Sequence, residues 1–404
     1  MRNVLRVGFG RDVYLLIASM SIVSLTGAFA TVVQPIYLVM MGFSPVLCAF
    51  IVSISQIMGT MRMVLLSILA DKFGRRKILF ITFLMPILYN LIYFFARDYP
   101  IFLLAAIVSA PGGEGIGGSI EGALLAEKAG DVKRTRAFST QYFIASSFAA
   151  LGSFISVLPE VIAASFGVGI LDAIRVVFAS QAILASVASL FIFLISEDER
   201  PVSDTEERYL SKESQHKVMK FSVIGLFDGF GVGMFRSLFS LWFYLRFGIN
   251  IKTVGYIDTI SRIFETVAYL FGPPIAAKLG LVRTVSITRF GGAVSVGLMA
   301  FMPTYPLATI MYVSRNAIQH ISIPIRQSFT MAIFNRNERA SAASMSTIVR
   351  TAGRTTATTL SGHIMENIGT TIPPVVSSVL VGFASLLYYL LFRHTKPPEE
   401  QQLA

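Results

Sequence analysis

The sequence is poor in the residues on which soluble enzymes build their chemistry. A single cysteine, Cys48, excludes an intrachain disulfide and any thiolate metal cluster within one chain. The four histidines, His216, His320, His363 and His394, lie far apart without metal-ligand spacing, so no metal is expected. The P-loop string G-x-x-x-x-G-K-S/T is missing, and with it an ATP cradle. No nucleophile–base set is visible, so the reading is not an enzyme and calls for no cofactor. Charge is the largest deficit: 14% of the 404 residues are Asp, Glu, Lys or Arg, against about 25% in a soluble domain.

What is present is apolar. Hydrophobic residues make up 54%, with 33 Phe and 16 Met, and mean hydropathy is +0.67. A crossing helix needs about 20 mostly apolar residues. Twelve runs qualify: Val13–Met40, Pro45–Ala70, Ile78–Ala96, Pro100–Ala126, Ala137–Phe166, Ile170–Ser196, Val218–Phe247, Val254–Ala277, Val285–Met302, Tyr305–Phe334, Ala340–Ile368 and Pro373–Phe392. Runs of this length exclude a transmembrane β-barrel, whose strands are short and alternate. The run from Val13 is too long for a signal-peptide core and is read as a span.

Lys and Arg sort by side. About 22 fall in the N-terminus, the even-to-odd loops and the C-terminus, about 4 on the other side and about 8 within spans. The asymmetry predicts a multi-pass protein of the cell (cytoplasmic) membrane with both termini cytoplasmic. It also assigns the net charge of +11 to orientation and anionic lipid; no nucleic-acid partner is expected.

The longest polar break, Ser196 to Lys217, is charged, mixed in sign and poor in bulky apolar residues. It predicts a six-helix bundle over 1–196, a cytoplasmic linker over 197–217 and a second six-helix bundle over 218–404. The halves align at an offset of about 205 residues, as duplicated transporter folds do. Met41-Gly42-Phe43-Ser44 meets Phe247-Gly248-Ile249-Asn250, and Asp71-Lys72-Phe73-Gly74 meets Ala277-Lys278-Leu279-Gly280. Ser109, Glu121 and Arg134 meet Ser314, Arg326 and Arg339.

Between spans 2 and 3 the sequence reads SILADKFGRRKILF, Ser67 to Phe80. This resembles the signature loop of the major facilitator superfamily, G-x-L-A-D-r-x-G-r-k-x-x-l. Leu69, Ala70, Asp71, Gly74, Arg75, Arg76 and Lys77 match, and Ser67 replaces the first glycine. The resemblance extends to helix count, duplication and mid-chain linker. It implies an all-α polytopic membrane protein, with twelve transmembrane helices in two pseudo-symmetric six-helix bundles. It also implies a secondary transporter working by alternating access, a monomer with a small-molecule substrate. Asp71, Gly74, Arg75, Arg76 and Glu127 would then form a cytoplasmic gate. Glu121 and Arg326 would add an ion pair between the halves.

Ionisable groups inside a membrane are costly, so each is a functional candidate. The run SAPGGEGIGGSIEGALLAE contains G-x-G-x-x-G, but it sits in an apolar span without a βαβ unit, which removes the dinucleotide reading. Its glycines form a packing face instead. Glu114, where the resemblance leads one to expect a base, is the first candidate proton carrier, with permanent pairing to an arginine as the alternative. Asp258 and Glu265 share a face with Arg262 in span 8, and Asp228 shares one with Arg236 in span 7. The acids are further proton-coupling candidates. The glycines around Asp228 mean either a flexible gate or close packing. Span 10 aligns Arg315, Gln319, Ser322 and Arg326 beside His320, and span 11 adds Arg350 and Arg354.

With Gln34, Tyr37, Arg236 and Arg262, the residues Arg315, Gln319, His320, Arg350 and Arg354 are the substrate-cavity candidates. Trp242 and Tyr244 are either cavity walls or interfacial anchors. Arg289 is read as a snorkelling base, and Arg62 has no evident partner. The arginines favour an organic anion by their fork geometry. Export of amphipathic cations is the alternative, without the Gly-Pro signature of drug antiporters in span 5. A non-transporting membrane receptor is the alternative of another class.

Overall fold

The computed structural model describes residues 8–108, 120–196, 211–333 and 339–395. Every regular element among them is helical. The first half supplies α1 (Arg11–Met40), α2 (Pro45–Phe73), α3 (Arg75–Phe95), α4 (Tyr99–Val108), α5 (Ile120–Ile155), α6 (Leu158–Phe166) and α7 (Ile170–Phe193). The second supplies α8 (Lys212–Phe235), α9 (Phe239–Phe247), α10 (Ile251–Ala268), α11 (Gly272–Leu279), α12 (Leu281–Met299), α13 (Tyr305–Ile333), α14 (Arg339–Asn367) and α15 (Ile372–Phe392).

Among the described residues, seven helical segments are long and apolar enough to cross a bilayer. Other expected spans fall short for visible reasons. Arginines dilute α13 and α14. The eighth run is cut by a 3-10 turn, Tyr269–Phe271, ahead of Gly272-Pro273-Pro274 at the start of α11.

One expectation is corrected. Residues 127–136, read as the loop between spans 4 and 5, are helical and lie inside α5. The stretch is rich in Glu, Lys, Ala and Arg, which favour helix over loop, and holds one glycine. Polar character made it look like a loop, but polarity does not break a helix outside the bilayer. The break comes later, at Ser156–Val157, where α6 starts with Pro159 in its first turn.

The chain forms two compact units. Unit 1 is Met1–Phe43, Ile54–Val202 and Asn250–Thr259; unit 2 is Ser44–Ser53, Ser203–Ile249 and Ile260–Ala404. Both α2 and α10 are therefore divided, each leaving its first turns with the opposite unit. The two tight turns that precede α2 and α10 use glycines of positive φ, Gly42 (93°) and Gly248 (62°). Those that precede α3 and α12 do the same, at Gly74 (119°) and Gly280 (83°). Both pairs have the same sequence separation, as a duplicated unit requires.

The core of unit 1 gathers Leu16, Met20, Leu79, Phe83, Leu125 and Ile192. In unit 2, Phe221, Val285, Phe329, Tyr388 and Phe392 do the same. Large apolar side chains also cover the outside, Phe166 at 77% and Leu270 at 67% exposed. Water would penalise such a surface; lipid does not. Hydroxyls within the helices bond back to the preceding turn, Thr355 to the Thr351 carbonyl at 2.9 Å and Thr358 to that of Arg354 at 2.8 Å. This lets polar residues occupy an apolar medium.

Candidate functional site

The site with the densest charge lies in unit 2 and starts from glycine. A Cβ at Gly229 would overlap the Arg350 carbonyl oxygen, and one at Gly233 that of Arg354. The backbones of α8 and α14 therefore touch. Of the two expected uses of these glycines, close packing is the one observed. This contact brings Arg350 beside Asp228, whose side chain is 1% exposed. Arg350 Nε donates to Asp228 Oδ2 at 2.9 Å. Arg326, from α13, lies 3.5 Å from the same oxygen, and Arg289, from α12, pairs with Oδ1. Three guanidinium groups from three helices converge on one carboxylate. Arg289 is thus corrected from a snorkelling base to a buried partner of Asp228. Snorkelling needs a path to the headgroups, and the Arg289 side chain is buried.

A second polar network joins α10 to α13. Ser261 Oγ donates to Glu265 Oε1 at 3.2 Å, and Asn316 Nδ2 donates to Ser261 Oγ at 2.6 Å. His320 Nδ1 lies 2.7 Å from the Asn316 carbonyl oxygen. A carbonyl only accepts, so Nδ1 carries the proton. Nε2 then faces Glu265 Oε2 at 3.4 Å. The Tyr269 ring stands edge-on to the imidazole, with centroids 5.6 Å apart. Arg315 donates to Asn316 Oδ1 at 2.5 Å. Asn316 and Ser261 escaped the sequence reading. Their spacing was the available signal: each sits four residues before its partner, on the same helical face.

The other expected residues are spread out. Asp258 is buried and accepts from Ser153 Oγ of α5 at 2.7 Å, within unit 1. Gln319 packs over Gly292 of α12. Arg236 opens the 3-10 turn between α8 and α9. Arg262 is half-buried on α10, and Glu121 is half-buried in the first turn of α5. Gln34 and Tyr37, expected on a cavity wall, are both buried inside unit 1. Tyr37 packs on Tyr93, Phe102 and Phe178, and its hydroxyl accepts from Arg175, which pairs with Asp172 at 2.7 Å. Trp242 is buried too; its indole N–H donates to the Thr370 carbonyl at 2.6 Å. Arg62 gains an account: Nη1 donates to the Val108 carbonyl of α4 at 2.5 Å. Glu114 lies outside the described residues, and so does the side chain of Asp71.

Near the chain start, Arg75 pairs with Glu127 at 2.7 Å. Both are more than a third exposed, so the pair orients the α2–α3 turn more than it stabilises it. Arg76 donates to the Phe193 carbonyl at 2.5 Å and lies 5.5 Å above the Phe193 ring. Arg11 reaches the Leu194 carbonyl at 2.8 Å, and Lys128 the Ser196 carbonyl at 3.0 Å. Cations from α1, α3 and α5 so gather on the C-terminal end of α7.

A family model described as Major Facilitator Superfamily matches residues 15–219 and 221–404. The chain belongs to the Major Facilitator Superfamily. It is a multi-pass membrane transporter of small molecules, not an enzyme. Among solved structures of this superfamily's fold, the nucleoside transporter NupG is 16% identical with TM-score 0.70, covering 96% of this chain and 100% of that one. The inward-open xylose transporter XylE from E. coli is 16% identical with TM-score 0.74, covering 96% and 98%. The human organic anion transporter MFSD10 is 12% identical with TM-score 0.67, covering 94% and 99%. Identities this low speak to the fold and not to the substrate. A comparison with curated proteins finds no match. At the signature loop, Gly74 turns the chain between α2 and α3 with φ 119°, and Arg75 pairs with Glu127.

Proposed function

We propose that the protein is a secondary transporter of the cell membrane that moves a small organic anion, coupled to protons, as a monomer with both termini cytoplasmic. One observation carries the anion reading. Arg326 and Arg350 are both held by a buried carboxylate, yet 26% and 33% of their side chains are open. At membrane depth a partly accessible arginine side chain faces water, protein or ligand, not lipid. Its planar fork fits a carboxylate or phosphate. Three arginines gathered at one point suit an anionic solute better than an amphipathic cation. A protein of this fold is described as an organic anion transporter, and another as a D-xylose–proton symporter.

The test is a thermal-shift screen of organic anions against amphipathic cations, followed by proteoliposome uptake. Anions are expected to raise the melting temperature. Arg350→Lys, which keeps the charge and loses the fork, is expected to weaken anion binding about tenfold, equivalent to roughly 1.4 kcal/mol. Stabilisation by cations alone would refute the anion reading.

Glu265 and His320 support proton coupling. With Nδ1 committed to a carbonyl, a proton taken up here would lie between Nε2 and the Glu265 carboxylate, 3.4 Å apart. Glu265→Gln is expected to abolish accumulation driven by a proton gradient and to spare substrate exchange, which needs no net proton movement. Gradient-driven accumulation at the parent level would remove Glu265 from the coupling site.

A further inference from the structure

Two glutamates, one in each unit, make the same contact twice. Glu160, on α6, accepts from the Lys252 backbone N–H at 3.1 Å and from Asn250 Nδ2 at 2.8 Å. Glu366, in the last turn of α14, accepts from the Val46 backbone N–H at 2.9 Å. Lys252 and Val46 are the second residues of α10 and α2. First-turn amides have no acceptor within their own helix, and a carboxylate there also meets the positive end of the helix dipole.

Each helix also carries a cap of its own. Asn250 Oδ1 accepts from the Thr253 N–H at 3.0 Å, and Ser44 Oγ from the Leu47 N–H at 3.4 Å. The local side chain takes one amide of the first turn, and a glutamate from a distant helix takes another. Small residues let these ends approach. A Cβ at Gly255 would overlap Ser156 Oγ, and one at Gly362 would overlap Ala49 Cβ.

The two constructions are repeats of each other. The pairs Ser44 and Asn250, Val46 and Lys252, Ala49 and Gly255, Ser156 and Gly362, and Glu160 and Glu366 all share one sequence separation. It is the separation that relates the glycine turns. The capped segments, Ser44–Ser53 and Asn250–Thr259, are also the two that pack with the unit opposite to the rest of their helix. Thr359 bonds Ser53 at 2.8 Å in one, and Ser153 bonds Asp258 at 2.7 Å in the other.

We propose that Glu160 and Glu366 are paired positioning residues for transport. Each completes a helix cap on a segment exchanged between the halves of the chain. Together they hold the present conformation against one in which the starts of α10 and α2 part from α6 and α14. The inference is independent of the substrate's identity.

The test uses the full chain with Cys48→Ser and spin labels at Val168→Cys and Ile368→Cys, both exposed (42% and 64%) and close in sequence to the two glutamates. No substrate is added. Glu160→Ala and Glu366→Ala are each expected to raise a second, longer-distance population roughly threefold, and the double variant roughly tenfold, because separate sites add. Lys252→Pro and Val46→Pro remove the N–H donors at first-turn positions that tolerate proline. Each should match its glutamate variant, and Glu160→Ala with Lys252→Pro should do no more than either alone. Should an alanine variant fail to fold, Glu160→Gln and Glu366→Gln keep an acceptor without the charge and should give smaller shifts in the same direction. Unchanged distances with a lowered melting temperature would reduce the glutamates to helix stabilisers and overturn the proposal. So would additive effects of Glu160→Ala and Lys252→Pro.

Discussion

Asp228→Ala is expected to cost the protein about 3–5 kcal/mol, the usual penalty for removing one partner of a buried ion pair. Folded domains are stable by only about 5–15 kcal/mol, so most of the margin would go. The reason is what the substitution leaves behind. Arg289 is buried and pairs with Asp228 Oδ1, while Arg326 and Arg350 share Oδ2. Without the carboxylate, like charges face one another across the gap, and Arg289 keeps its burial without this counter-ion. The measurement is the melting temperature and monodispersity of the purified protein in detergent. Adding Arg289→Met should recover part of the loss, since an apolar chain of similar length removes the stranded charge. A variant Asp228→Ala that melts with the parent, or one that Arg289→Met worsens, would contradict this account.

The second large effect concerns a residue without a side chain. Gly229→Leu is expected to abolish folded protein, because α8 and α14 would have to separate to make room at the Arg350 carbonyl. Separation would also draw Arg350 away from Asp228. Even Gly229→Ala should cost about 1–3 kcal/mol by overpacking. The control is Gly291→Ala on α12, where the nearest atom to an added Cβ is Ile318 Cγ2 at 3.5 Å, an ordinary contact. Both glycines are helical, so the backbone-entropy gain from alanine is common to the two and cancels. Equal melting temperatures for Gly229→Ala and Gly291→Ala would exclude a backbone contact at Gly229.

The membrane class and the superfamily were legible in the sequence because they rest on one-dimensional signals: apolar run length, basic-residue asymmetry and a loop motif. Charged positions inside the spans were legible for the same reason. Partner choice was not. The sequence puts Asp228 on one face with Arg236 of its own helix, whereas the three arginines that reach it come from α12, α13 and α14. Helical periodicity gives the face of a residue, not which neighbouring helix covers that face. Arg62 illustrates the same limit, since its acceptor is a main-chain carbonyl that no side-chain pattern announces. Tyr37 reads as a cavity wall and Trp242 as wall or interfacial anchor, yet both are buried, because an aromatic ring with a polar tip serves a core equally well. The exchanged ends of α2 and α10 were hidden by contiguity: an unbroken apolar run gives no sign that its first turns pack elsewhere.

Arg11, Arg76 and Lys128 fasten the end of α7 by charge and dipole. The carbonyls of Phe193, Leu194 and Ser196 are held by cations from three other helices, beside the buried apolar side chains of Ile192 and Ile195. Such fastenings loosen as dissolved ions screen them, over a Debye length of about 8 Å at physiological ionic strength. The interior packing of either half has no comparable sensitivity. Ionic strength is therefore a control variable for this end of α7, separate from the apolar packing beside it.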